Sequence, residues 1–222
     1  MKRLNFRGFS VVELLVVISV TTILVIIIST FLITNLQQST IATLKGTMLN
    51  EAQQSLDLAA NDIRLSANAD TNNRWPDVNG PSGAANPLSW ESNGTTLVLA
   101  TAAEDRNGTV IFSDAKNYIT EKNNSIYFVK NGTLYKRTLA STATNNAAKT
   151  SCPAAKATAS CPADKALLQN VKSFAVTYKD GDDAAVAPSD ARSVELAVTV
   201  SKPMYQRDIS VSYKTRMVFR ND

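Results

Sequence analysis

Glu13 is the residue whose position asks most plainly for chemistry. It is a carboxylate in the stretch RGFSVVELLVVIS, at the mouth of an otherwise apolar segment. An ionised carboxylate within a bilayer helix is costly unless it meets a cation, so an acid placed there marks a function by default. Other reactive types are scarce. Histidine is absent, which removes the commonest general base and the commonest transition-metal ligand. The two cysteines, Cys152 and Cys161 in SCPAAKATASCP, have neither histidine nor another cysteine pair to complete a zinc site. A disulfide closing a short loop is the expected form, with two free thiols as the alternative, and it places the head in an oxidising compartment. Asp180, Asp182, Asp183 and Asp190 cluster in KDGDDAAVAPSD, and oxygen-rich loops can hold calcium. Here glycine falls second and Ala191 twelfth, so the segment is not an EF-hand and reads as a solvated hairpin loop. No nucleophile–base pair, phosphate loop or metal-ligand cluster appears, so neither an enzyme nor a cofactor or metal site is expected.

The elements that must carry these residues are an anchor and a head. The 222 residues suit one domain of ordinary size plus a membrane segment. Lys2, Arg3 and Arg7 precede the apolar run and supply most of the net charge of +4, which leaves a nearly neutral remainder and argues against a dedicated nucleic-acid binder. Residues Leu14 to Ile33 carry no charge, a length that matches the roughly 20 residues needed to cross ~30 Å of hydrocarbon. The basic residues ahead of it put its amino end in the cytoplasm and the head outside. No convincing Ala-x-Ala site follows Ile33, so the apolar helix is expected to be retained. The only processing-like junction lies upstream, at Gly8-Phe9.

That junction carries a family resemblance. RG-FSVVELLVVI resembles the prepilin signal of type IV pilins and type II secretion pseudopilins. The resemblance implies cleavage of leader 1–8 after Gly8 by a prepilin peptidase, N-methylation of the new terminus Phe9, and a membrane half-helix over 9–33. It also gives Glu13 its cation, the α-amine of Phe9, on the same chain or on a neighbour, so that Phe9 and Glu13 together set register as helices pack. Major pilins commonly carry a helix-breaking glycine or proline in this segment, where this chain has Thr21, Thr22, Ser29 and Thr30.

Downstream, Leu36, Ile41, Leu44, Met48, Ala52, Leu56, Ala59 and Ile63 recur at helical spacing, and no proline interrupts 9–66, so 34–66 reads as an amphipathic half-helix laid on a sheet. Gly46 is its weak point. Residues 67–95 read as a connection over the surface, with Trp75 and Trp90 pinning it to the head. The head, 96–222, is expected to be an antiparallel sheet built from TLVLAT, TVIFS, SIYFVK, TLYKRTL, VKSFAVTYK, SVELAVTVS and ISVSYKTRMVF, with the cysteine loop inside 140–170. Asn131-Gly132 suits a type I′ hairpin turn. Turn chemistry also accounts for the three Asn-Gly-Thr triplets at Asn93, Asn107 and Asn131 without glycans. Lys130, Lys136 and Arg137 read as alternation on a solvated face, and a DNA-binding patch is the lesser alternative.

This order of long helix, loop and strands is an α+β architecture and is similar to the pilin fold. NDIRLS, LYKR and LLQNVKSFAVTYKDGD further resemble the larger W-type minor pilins and J-type pseudopilins. The resemblance implies a structural subunit of a type IV pilus or related filament, whose partners are the prepilin peptidase/N-methyltransferase, other pilins or pseudopilins, and an assembly platform with its ATPase. It implies residence in the cytoplasmic membrane before assembly and at the cell surface afterwards. A pseudopilin at the tip of a secretion piston and a membrane-anchored adhesin or DNA-uptake receptor are the alternatives.

Overall fold

A computed structural model describes residues 10–220. One long helix, α1 (Val11–Arg64), is followed by strands that form antiparallel sheets. The chain divides into two compact units at Gly46, the weak point of the helical sequence.

In the amino-terminal unit, the large apolar side chains from Val11 to Leu36 are exposed, and the helix is long and apolar enough to cross a membrane. Four of its hydroxyl groups before Ile33 are satisfied within the helix. Ser19, Thr21, Thr22 and Thr30 donate to the carbonyls of Leu15, Val17, Ile18 and Ile26 at 2.8, 2.6, 2.7 and 2.8 Å. In hydrocarbon this internal pairing is what makes such residues tolerable, and it is why they can replace apolar ones without ending the helix.

In the unit Thr47–Asp222, the remaining turns of α1 bury Met48, Ala52, Ser55, Leu56, Ala59, Ala60 and Ile63. The small residues in this stripe let the helix lie close to a five-stranded sheet of order β1-β2-β5-β6-β7. These strands are β1 (Ser66–Ala69), β2 (Thr96–Ala102), β5 (Lys122–Lys130), β6 (Thr133–Leu139) and β7 (Lys165–Gln169). The Ser55 hydroxyl donates to the carbonyl of Leu167 at 2.7 Å, so the helix occupies an acceptor on edge strand β7. β3 (Phe112–Asp114) and β4 (Ile119–Thr120) form a small two-stranded ribbon. A three-stranded sheet has the order β10-β9-β8, with β8 (Val171–Lys179), β9 (Ser193–Met204) and β10 (Arg207–Val218). Among the described residues the head therefore holds three sheets where the strand pattern suggested one. Short β1, β4 and β7 are the strands that alternation did not announce.

The β5–β6 hairpin turns on Asn131 and Gly132, with φ of 50° and 70°, the left-handed pair that a type I′ turn requires. The β9–β10 hairpin places Tyr205 and Gln206 in the same region, at 49° and 61°.

The segment 67–95 crosses the head with residues 79–89 exposed or half-buried, and a few buried residues anchor it. Asp70, Asn73, Asp77, Trp90 and Ser92 are all buried. Trp90 packs with Val98, Ile126, Phe128 and Leu139, and Trp75 and Tyr135 flank the cluster. Each indole is also tethered: Trp75 Nε1 donates to the carbonyl of Lys122 and Trp90 Nε1 to Asp77 Oδ2, both at 2.7 Å. The sheet is covered on both faces because adjacent residues of β5 point opposite ways. Tyr127 reaches Asp62 of α1, with its hydroxyl 2.7 Å from Oδ2, whereas Ile126 and Phe128 meet Trp90 and its neighbours.

Two buried phenols give the head an alkaline limit. Burial pushes the Tyr178 hydroxyl, which donates to the carbonyl of Thr96 at 3.0 Å, up to about 12 from its ordinary 10.0. Burial, followed by the charge of Asp62, raises Tyr127 as well. A raised phenol stabilises the fold fully below the unfolded value, and that contribution is lost as pH climbs from about 10 towards the folded value. The urea midpoint should therefore fall between about pH 10 and 12, and Tyr178→Phe should shrink the fall. Identical alkaline profiles for the two proteins would contradict this assignment.

Candidate functional site

Of the residues singled out in the sequence, Gly8 and Phe9 lie outside the described residues, and Glu13 lies in the first turn of α1. Its carboxylate has a local partner. The Ser10 backbone N–H donates to Glu13 Oε2 at 3.0 Å, and the Val12 N–H donates to Ser10 Oγ at 3.3 Å. This is a capping box, in which two helix-end donors that have no intrahelical carbonyl are satisfied reciprocally. The Ser-x-x-Glu spacing of Ser10 and Glu13 was its sequence signal. The acid therefore has a structural use in starting the helix, whatever charge it meets beyond it. Being negative at the amino end, it also complements the helix dipole.

The head's most buried charges sit elsewhere, around Arg137 on β6. Adjacent positions on this strand face opposite layers, so Lys136 and Arg137 do not share a patch. Lys136 pairs with Asp62 of α1. The Arg137 side chain, only 3% exposed, points to the Trp90 layer, with its guanidinium 5.4 Å from the Trp90 ring and 5.5 Å from Phe128. Its Nη1 donates to Asp77 Oδ2 at 2.8 Å and to the Asn79 carbonyl at 2.9 Å. Its Nε and Nη2 form a bidentate pair with Asp164 at 3.0 and 2.5 Å. Burial acts against the cation, but Asp164 and Asp77 outweigh it and leave the Arg137 pKa raised. The solvated-face reading of Arg137 is thus corrected, and with it the idea of a continuous basic stripe for nucleic acid. No feature of the strand pattern marked Asp77 or Asp164, because both come from loops.

Cys152 and Cys161 form a disulfide, with Cα atoms 5.6 Å apart. The loop they close is fastened to the Arg137 cluster. The Asp164 N–H donates to the Cys152 carbonyl at 2.7 Å, and Lys156 Nζ donates to Asn79 Oδ1 at 2.9 Å. Replacing both cysteines by serine should cost about 2–3 kcal/mol, the loop-closure value for so short a ring. Thermal melting with and without reductant measures it, and a reductant-insensitive wild type would contradict the assignment.

The acidic loop is occupied by turn chemistry. Asp180 Oδ1 accepts the N–H groups of Asp182 and Ala184, each at 2.9 Å, and Asp183 pairs with Arg216. Among the described residues no group of three His, Cys, Asp or Glu is arranged to hold a metal ion.

No protein-family model and no curated protein matches the sequence. Among solved structures, the chain is similar to a binary complex of two pseudopilins from the type 2 secretion system of Vibrio vulnificus. That match has 16% identity and a TM-score of 0.39 over 77% of this chain and 94% of the other. It is also similar to a type IV-like pilin from Thermus thermophilus, at 11% identity and a TM-score of 0.45 over 78% of this chain and 95% of that one.

Proposed function

We propose that this chain is a non-enzymatic, pilin-like structural subunit, a minor pilin of a type IV pilus or related filament. A prepilin peptidase removes residues 1–8 after Gly8 and Phe9 is methylated. The apolar half of α1 holds the subunit in the cytoplasmic membrane with the head outside until other pilins, a platform and its ATPase draw it into the fibre. The observation that carries this reading is Glu13, an acid in the first helical turn, directly before a run of exposed apolar side chains. Such a run is suited to lateral packing against like helices, and an acid at its head is suited to an amine. Intact-mass and terminal analysis of protein recovered from membranes tests it. A chain beginning at methylated Phe9 is expected, and recovery of the uncut leader from working filaments would overturn the proposal.

A further inference from the structure

We infer that a cleft on the head, between the end of α1 and the β6–β7 edge, is a binding site for a carboxylate-bearing peptide segment. Its volume is about 290 Å³, and Leu58, Asp62, Lys136, Lys149, Lys165 and Leu167 are among its walls. The three lysines come from three parts of the chain: β6, the cysteine-loop approach and β7. A single carboxylate, Asp62, lines the cleft with them, and it is already engaged by Lys136 and by the Tyr127 hydroxyl. Lys149 Nζ reaches only a backbone acceptor, the carbonyl of Ala159 at 3.1 Å, which does not neutralise it. Lys165, on the exposed rim, forms none of the salt bridges found among the described residues. Two ammonium charges are thus left uncompensated around one concavity, where like charges repel and an arriving anion relieves the repulsion.

The walls say which anion. Leu58, Leu167, Pro162 and Ala163 present apolar surface beside the lysines, which suits the methylene stem of an acidic side chain better than a bare inorganic ion. The room available fits one or two side chains and no large cofactor. The site lies beside edge strand β7, whose Leu167 carbonyl is already taken by Ser55 of α1, so side chains and not a paired strand must make the contact. It does not depend on the filament reading, since it is built wholly within Thr47–Asp222.

The test is fluorescence anisotropy of a labelled hexaglutamate peptide with the full chain in neutral detergent. Hexaglutamine and inorganic phosphate serve as competitors. Binding that falls as salt rises is expected, with Lys149→Glu and Lys165→Glu each weakening it about tenfold, the scale of one charge-assisted hydrogen bond. Lys165→Arg should retain binding, and Lys116→Glu, an exposed lysine outside the cleft, should leave it within about twofold, as a distant screened charge does. Unchanged melting temperatures would show that the variants remain folded. Equal losses at Lys116 and Lys165 would overturn the site in favour of general attraction. Displacement by phosphate at equal anion concentration would overturn the peptide assignment, and so would equal affinity for hexaglutamine.

Discussion

Arg137→Ala should destabilise the head by about 3–5 kcal/mol, the cost of breaking a buried pair by removing one partner. A domain of this kind holds only about 5–15 kcal/mol in total, so the variant should lose a large share of its stability. The size follows from what is left behind. Asp77 and Asp164 side chains are 2% and 5% exposed, and without the guanidinium both buried carboxylates lose the cation they share. Trp90 Nε1 and the Ser151 hydroxyl still donate to them, but neither brings charge. Arg137→Lys should recover little, because one ammonium cannot supply both the bidentate pair to Asp164 and the bonds to Asp77 and Asn79. Lys214→Ala, which removes an exposed lysine from its pair with half-buried Glu195 while Lys179 still faces that carboxylate, should cost no more than about 1 kcal/mol. Urea denaturation of the three variants measures the contrast, and a loss below that of Lys214→Ala would show that Arg137 is not the tie described.

Glu13→Ala should abolish entry into filaments while leaving membrane insertion intact, and Glu13→Gln decides why. Glutamine can take the same place in a capping box, accepting the Ser10 N–H, but it carries no charge. If the acid serves only to start the helix, Gln should behave as wild type. If it pairs with the α-amine of Phe9, as proposed, Gln should fail as Ala does. Membrane fractionation followed by immunoblotting of sheared filaments reads both steps. Normal incorporation of the Gln variant would remove charge pairing from the account and leave the cap.

The parts of this molecule that were legible in its sequence are those determined by neighbours in the chain. The apolar run after Glu13, the helical stripe from Met48 to Ile63 and the Asn131-Gly132 turn each depend on residues a few positions apart, and each stands as read. Burial in the stripe begins only at Met48, because Leu36 lies in the exposed amino-terminal unit and Ile41 and Leu44 are only half buried. The Ser10–Glu13 cap was equally local and was written in the spacing, although the membrane context drew attention to charge instead. Arg137 misled for a physical reason. Its alternation with Lys136 and Thr138 is that of a strand with one wet face, and nothing nearby reveals that residues from 67–95 cover that face. The same long-range packing buries Asp70, Asn73, Asp77, Trp90 and Ser92 within a segment whose composition is that of a loop. The β9–β10 turn was hidden because Tyr205 and Gln206 hold a conformation usually given to glycine or asparagine.

The Arg137 cluster also imposes a schedule on a chain that emerges from its amino-terminal end during synthesis. Asp77 precedes by 60 residues the guanidinium that holds it, and Asp164 trails that guanidinium by a further 27. Before Asp164 follows, Arg137 can hold Asp77 and the Asn79 carbonyl but lacks its bidentate partner. A chain ending before Asp164 should thus be more open to added protease than the full head, because Arg137 then lacks the bidentate carboxylate that completes its buried pairing.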